Sequence, residues 1–259
     1  MNVFSNFIEL VKEKATIENR IHAVCIAGSY LSDEIDEFSD LDFLIIVDDD
    51  STFKFSDMVD FAESFGHLLA KFTGDHVGED RLLICLYETP FLHVDFKFIK
   101  LNDFYDRIEN PQIIYSKNSL LDDILLNSQP NWPYPNFQWI EDRFWVWIHY
   151  ASTKLGRGEF FEAIELISFL RNTVLGPFLH IKYDTKPRGV RKLEFILDKD
   201  DLDKLVDTLP LFDFESIKKS ILACVEIYQN LRESLYFNNV NLSVDAEIKS
   251  IEYLNSLNK

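Results

Sequence analysis

The chain is short of positive charge. Lys and Arg total 26 against 44 Asp and Glu, a formal net charge of −18 over 259 residues. A field of that sign repels phosphate backbones, so the composition argues against a nucleic-acid partner. It suits a soluble cytoplasmic protein or a cationic small-molecule ligand. Cysteine is also sparse: Cys25, Cys85 and Cys224 are odd in number, far apart and without a CxxC spacing. That argues against a disulfide framework and against a zinc site, and leaves the thiols as small hydrophobes within apolar runs. No apolar stretch approaches the about 18 residues a membrane span needs, so no membrane partner is expected. The opening MNVFSNFIELVKEK lacks the basic stretch and apolar core of a signal peptide, which makes a reducing cytoplasm the expected location. Internal repeats and low-complexity tracts are missing too, and nothing fixes an oligomeric state.

Apolar and aromatic residues are plentiful. Hydrophobic residues make up 47% of the chain, with 23 Phe, 10 Tyr and 4 Trp, enough for packed cores. Residues 3–20 place Val3, Phe4, Phe7, Ile8 and Val11 at helical intervals. IHAVCIAG then reads as a buried strand ending at Gly28, and LDFLIIV as a second strand closed by the acids Asp48–Asp50. FSDMVDFAESFGHLLAKF returns to a period near 3.6, predicting a helix that starts at Ser56 or Asp57 and stops before Gly74. RLLICLY and FLHVDFKFI are two more strands, joined by a hairpin-type ETP.

Asn127–Gln138 carries three prolines within six residues, which blocks helix and central strand alike. Beyond it WIEDRFWVWIHYASTKLG, EFFEAIELISFLRNTVLGPFLHI, FESIKKSILACVEIYQNLRESLYF and VDAEIKSIEYLNSLN all read as helices, with Gly176–Pro177 kinking or ending the second. The predicted class is α+β. A mixed-sheet domain flanked by helices spans residues 1–126, a Pro-rich linker 127–138, and an all-α helical bundle 139–259.

The chemistry sits in IAGSYLSDEIDEFSDLDFLIIV. Side chains alternate along a strand, so Asp40 and Asp42 share a face. Two carboxylates this close repel each other unless a cation compensates, and Mg²⁺ is the hard ion that carboxylates and phosphates hold together. In LHVDFKFI, His93, Asp95 and Lys97 face away from the apolar residues, making Asp95 the candidate third acid of a two-metal clamp. Gly28-Ser29 closes a strand ahead of a possible helical turn, where the backbone can approach phosphate closely.

An apolar strand, Gly28-Ser29, ten intervening residues, Asp40-x-Asp42 and a later acid in a third strand resemble the nucleotidyltransferase superfamily typified by DNA polymerase β. The resemblance covers Ile21 to Ile99. In layout the chain is similar to the bacterial antibiotic nucleotidyltransferases: the aminoglycoside adenylyltransferases, kanamycin nucleotidyltransferase and the lincosamide nucleotidyltransferases. It implies transfer of a nucleoside monophosphate, AMP from ATP, onto a hydroxyl of a small-molecule acceptor such as an aminoglycoside, with release of pyrophosphate. It further implies that Gly28 and Ser29 hold the phosphates and that Asp40, Asp42 and Asp95 bind two Mg²⁺ ions. Asp95 would ligate a metal or help deprotonate the acceptor. One departure stands out: Tyr30–Ser39 holds Asp33, Glu34, Asp36 and Glu37 but no base, where many relatives place one. Cations for the phosphates are therefore sought in the bundle, first at Lys154, then at Arg157, Arg171, Arg188 and Arg191. The resemblance also admits a general base from the bundle: Glu141, Glu162 or Glu165. Trp132, Tyr134, Trp139, Trp145, Trp147 and Tyr150 either line a substrate cleft or pack the core.

Two competing readings follow. Arg143 and His149 have the spacing of a HEPN ribonuclease, the partner of minimal nucleotidyltransferases in toxin–antitoxin pairs. Alternatively the chain is a catalytically silent relative that binds a nucleotide or partner without turnover.

Overall fold

A computed structural model describes residues 3–32, 35–48, 53–118, 120–236 and 239–258. It divides into two compact units, Met1–Trp132 and Pro133–Lys259. Asp33 and Glu34 of the acidic loop, and Asp49 and Asp50 of the strand-closing cluster, lie outside the described residues.

The first unit is a six-stranded mixed sheet built from β1 (Ile21–Ile26), β2 (Leu41–Val47), β3 (Leu68–Gly74), β4 (Glu79–Tyr87), β5 (Leu92–Lys100) and β6 (Gln112–Ser116). Their order is β3-β4-β5-β2-β1-β6. Only the central pair β2–β5 is parallel; β1–β2, β1–β6, β3–β4 and β4–β5 are antiparallel. Alternation along the strands sorts the side chains. Leu41, Phe43, Ile45, Val94, Phe96 and Phe98 pack beneath helices α1 (Val3–Ile17) and α2 (Phe55–Glu63), together with Phe7, Val11 and Phe61. Phe43 and Phe96 stack across the central pair at 5.4 Å. Burying each such ring contributes about 1.5–3 kcal/mol. The opposite face carries a smaller cluster in which Cys25, Ile46 and Ile99 meet Phe104 and, from α3 (Leu120–Asn127), Leu121 and Ile124.

One predicted helix is shorter than its periodicity. The chain leaves α2 after Glu63, and Leu68–Gly74, expected as its continuation, forms edge strand β3 instead. Pairing with β4 from Leu68↔Tyr87 to Gly74↔Glu79 outweighs the helical pattern. The helix start also differs. Lys54 precedes the first turn, and Asp57 sits three residues in, accepting the Lys54 N–H at 2.9 Å.

The second unit is helical: α4 (Phe137–Gly156), α5 (Phe160–Leu170), α6 (Gly176–Lys182), α7 (Leu193–Ile196), α8 (Lys199–Val206), α9 (Phe214–Leu235) and α10 (Val244–Ser256). Asn136 caps α4 by accepting from Trp139 N–H. Its buried stripe of Ile140, Phe144, Ile148, Ala151 and Leu155 meets Ile167, Phe178, Ile221 and Tyr228 in one core. Gly176–Pro177 neither ends nor sharply breaks the second helix. A single π turn, Arg171–Leu175, carries α5 into α6. Among the described residues no helix is long and apolar enough to cross a membrane.

Candidate active site

The central parallel pair positions the acids. Register places Asp42 beside Asp95 and Leu41 beside Val94. Leu41 and Val94 are buried under α1 and α2, so the two carboxylates must emerge on the opposite face. Further along that face the apolar cluster begins at Leu44, leaving both acids beyond its edge.

Gly28 meets them from β1. The Ala27 N–H donates to the Asp42 carbonyl at 2.9 Å, drawing the end of β1 against β2. The next residue, Gly28, has φ +66° and opens a 3₁₀ turn, Gly28–Ser32. A β-carbon on Gly28 would lie 1.9 Å from Asp42 Oδ2. Glycine is thus required both by its left-handed backbone and by the carboxylate it touches.

His93, which sequence reasoning passed over, stands between two acids. Its Nε2 is 2.9 Å from Asp95 Oδ1 and its Nδ1 is 3.9 Å from Asp40 Oδ2. The contact with Asp95 raises the imidazole pKa above its ordinary value, against an opposing effect of burial, and the charges of Asp40 and Asp42 add to the rise. Lys97, also on this face, is paired with Glu79 at 2.7 Å. The signal for both lay in the alternation that exposed Asp95, which shares β5 with His93, but Asp40 comes from the loop before β2 and Glu79 from β4.

The acidic loop is partly ordered by its own groups. Asp36 Oδ1 accepts from Phe38 N–H and Ser39 Oγ–H, and Ser39 Oγ accepts from Asp36 N–H. Asp36 is thereby a turn-former, as Asp commonly is.

Among the described residues no three His, Cys, Asp or Glu side chains are already gathered to hold a metal ion. The donor chemistry nevertheless fits a hard divalent cation. Asp42 and Asp95 are adjacent oxygen donors, Gly28 leaves room at Asp42, and buried Asp95 Oδ1 receives no well-aligned hydrogen bond. Magnesium commonly takes one or two protein carboxylates and completes its shell with water and substrate phosphates.

The bundle residues lie in the second unit, each with local partners. Lys154 Nζ is held by Glu159 and Glu162, at 2.9 Å each, over the Tyr150 ring. These carboxylates raise its pKa, and as it stands its charge is spent on them rather than offered to a phosphate. Glu162 also accepts from Tyr150 Oη–H at 2.7 Å. Glu141 has no exposed side-chain surface and accepts from Trp145, Tyr228, Arg232 and the Ser243 N–H, so it is a core group rather than a base facing substrate. Glu165 is exposed. Trp145 is fully buried, whereas Trp139 and Tyr150 are partly open. Arg143 stacks on Trp139 at 4.3 Å, while His149 lies against Tyr253 of α10, so the two take different neighbours.

A mixed sheet with a positive-φ glycine pressed on one of two in-register aspartates has the layout of a nucleotidyltransferase. The particular family follows from a model of streptomycin adenylyltransferase, which matches residues 1–257. The chain belongs to that family. Among solved structures it is similar to an aminoglycoside 6-adenyltransferase from Bacillus subtilis, at 20% identity over 97% of this chain and 96% of that one, TM-score 0.41. A nucleotidyltransferase-like protein from Exiguobacterium sibiricum shares 11% identity over 96% and 78%, TM-score 0.40. A spectinomycin adenyltransferase from Enterococcus faecialis, solved with ATP and spectinomycin, shares 15% identity over 100% of both chains, TM-score 0.36. Among curated proteins no match is found. The family match places the chain; the structural likenesses are too distant to carry an argument.

Proposed function

We propose that the protein transfers AMP from ATP to a hydroxyl of a small cationic acceptor of the aminoglycoside kind, releasing pyrophosphate. The observation that carries the reading is the in-register pair Asp42 and Asp95, with Gly28 against the Asp42 carboxylate. Family membership supplies adenylyl transfer. The acceptor class is supported by the excess of acidic groups, which attracts cations.

Asp40, Asp42 and Asp95 would hold the divalent ion, Mg²⁺. Bound there, it would neutralise phosphate charge and stabilise the attacking and leaving oxygens. Gly28 and Ser29 would hold the nucleotide phosphates, Gly28 letting them approach the backbone where no β-carbon stands in the way. Asp95 is the carboxylate we assign to take the acceptor hydroxyl's proton, with His93, 2.9 Å from its Oδ1, fixing its orientation. Positioning of the two substrates supplies much of the rate in such transfers.

The test incubates the protein with Mg²⁺, ATP and a panel of aminoglycosides, reading acceptor mass and pyrophosphate. One added AMP on at least one acceptor is expected, abolished by Asp42→Asn with an unchanged circular dichroism spectrum. Full turnover in Asp42→Asn, or no adduct on any cationic acceptor, overturns the reading.

A further inference from the structure

The sheet face that carries the acids continues past them, across β4 to the edge strand. Register sets Asp42 of β2 beside Asp95 of β5, Asp95 beside Ile84 of β4, and Ile84 beside Phe72 of β3. The alternation that buries Leu83, Cys85 and Tyr87 beneath α1 and α2 puts Leu82, Ile84 and Leu86 on the acids' face. Each is half-buried, and among the described residues none of the three joins the cluster around Ile46, Ile99 and Phe104 elsewhere on this face. Phe72, beyond them, is 49% exposed. A solvated sheet face ordinarily alternates to polar side chains. This one is an apolar shelf that starts at a carboxylate.

The shelf is bounded on three sides. At its outer end the Phe72 ring meets the His76 ring at 5.8 Å. His76 sits on the 3₁₀ turn Asp75–Val77, which is closed by the Gly78 N–H donating to the Asp75 carbonyl at 3.0 Å and by the Thr73 hydroxyl donating to the Asp75 carboxylate at 3.0 Å. Along one side Leu82 lies opposite Lys97, which is held by Glu79 at 2.7 Å; along the other Leu86 lies opposite His93, which is held by Asp95. Neighbouring strands are about 4.8 Å apart, so the Phe72 backbone stands roughly 10 Å from that of Asp95, enough for a small molecule of more than one ring. Apolar walls with a few fixed polar groups are the usual make-up of a small-molecule site.

Strand order gives the shelf its occupant. Gly28 and Ser29 follow β1, on the opposite side of β2 from β5. In-line displacement puts the attacking and leaving oxygens on opposite sides of the phosphorus. With the phosphates at Gly28, the attacking hydroxyl arrives from the β5 side, and the rest of the acceptor extends over β4 and β3. We propose that the row Asp95, Ile84 and Phe72 is the acceptor subsite, with Phe72 the residue that selects a cationic ring compound and His76 supporting its ring. The assignment rests on the adenylyl-transfer reading. At the inner end the acceptor O–H gives its proton to the Asp95 carboxylate and its oxygen bonds to the α-phosphorus. The bond from that phosphorus to the pyrophosphate oxygen breaks, and its electron pair leaves with pyrophosphate. Ile84 and Phe72 take the acceptor's C–H faces, and an acceptor ammonium group is attracted to the face of the Phe72 ring. Asp40, Asp42 and Asp95 at the inner end give the shelf the sign of charge that a cation seeks.

The test titrates streptomycin, spectinomycin and, separately, ATP into the full-length protein by calorimetry, comparing wild type, Phe72→Ala and Phe72→Tyr. Phe72→Ala, with unchanged circular dichroism and melting temperature, is expected to bind about tenfold weaker whichever antibiotic the wild type binds. Its acceptor KM should rise by a similar factor, with kcat and ATP affinity kept. Phe72→Tyr retains the ring and is expected to bind as wild type does. Phe72→Thr, whose side chain suits a strand, gives the same reading if the alanine variant folds poorly. Equal antibiotic affinity in wild type and Phe72→Ala overturns the subsite. So does a matching loss of ATP affinity, which would put the nucleoside on the shelf, and so does binding of neither antibiotic by wild type. Phe72-dependent binding without any adenylylated product keeps the shelf as a ligand site and removes the proposed function. Adenylylated product formed by Phe72→Ala at an unchanged KM keeps the function and removes the shelf.

Discussion

At Gly28 one hydrogen atom stands where any other residue would bring a carbon within 1.9 Å of Asp42 Oδ2. Gly28→Ala therefore meets two penalties: a left-handed backbone that costs a β-carbon about 1–2 kcal/mol, and displacement of the carboxylate. The variant is expected to melt lower and to lose most adenylyl transfer; wild-type turnover would show that the Asp42 position is not critical. His93 poses a different question, because Asp40 and Asp95 are brought together around it. His93→Ala removes the group between two carboxylates, which then repel and shift. We expect kcat to fall about tenfold or more, since small displacements of catalytic groups are costly. His93→Arg, keeping a cation there, should restore part of the loss, and an alanine variant with normal kcat would end the positioning role. Gly28, Asp40 and Asp42 were legible from the sequence because they lie on one short segment whose spacing is itself the signal. His93 was not, because its meaning depends on which strand pairs with which. Lys154 shows the converse: helical spacing set it near Tyr150, but the two glutamates that claim its charge come from the following turn and helix.

Among the elements, long helices with a clear apolar stripe could be read to within a few residues, and α4 and α9 are examples. Short elements could not. β6 and α3 offer five and eight residues, too few for either period to declare itself, and each acquires its identity from the surface it packs on. β3 is the instructive error: its apolar residues continue the period of α2, yet the exposed edge of β4 captures it. The buried polar network of the bundle was equally invisible, since it joins α4 to α9 and to the start of α10. Glu141 accepts from Tyr228 at 2.6 Å, Ser243 N–H at 2.9 Å, Trp145 at 3.2 Å and Arg232 at 3.3 Å. Burial first, then the bond to Glu141, push the Tyr228 phenol far above its ordinary pKa, so it remains a donor. Glu141→Ala strands buried donors and an arginine, a loss of about 3–5 kcal/mol by analogy with broken buried pairs. Chemical denaturation should show that loss, while kcat per folded molecule stays unchanged. A selective loss of kcat in a stably folded Glu141→Gln variant would return this residue to the list of possible bases.

The whole molecule is strongly acidic, with a net charge of −18 and a sequence pI near 4.7. Such a charge does not choose a fold, but it sets which solutes the protein attracts. Within that field Lys182–Lys192, with five bases and one acid, is a local exception, and an anionic co-substrate and a cationic acceptor would each feel a different attraction along the chain. The two attractions are separable by salt. Screening length shortens from about 10 Å at 0.1 M salt to about 3 Å at 1 M, so long-range attraction fades while close contacts persist. For a polycationic acceptor, KM should rise steeply over that range with kcat nearly constant, because association weakens before the positioned carboxylates are disturbed. A neutral hydroxyl acceptor of similar size should show a much flatter KM. Initial rates with both acceptors across a salt series check this at saturating ATP, which keeps the triphosphate's own salt dependence out of the measurement. Parallel curves for the two acceptors would mean that the acidic surface serves solubility and does not select the substrate.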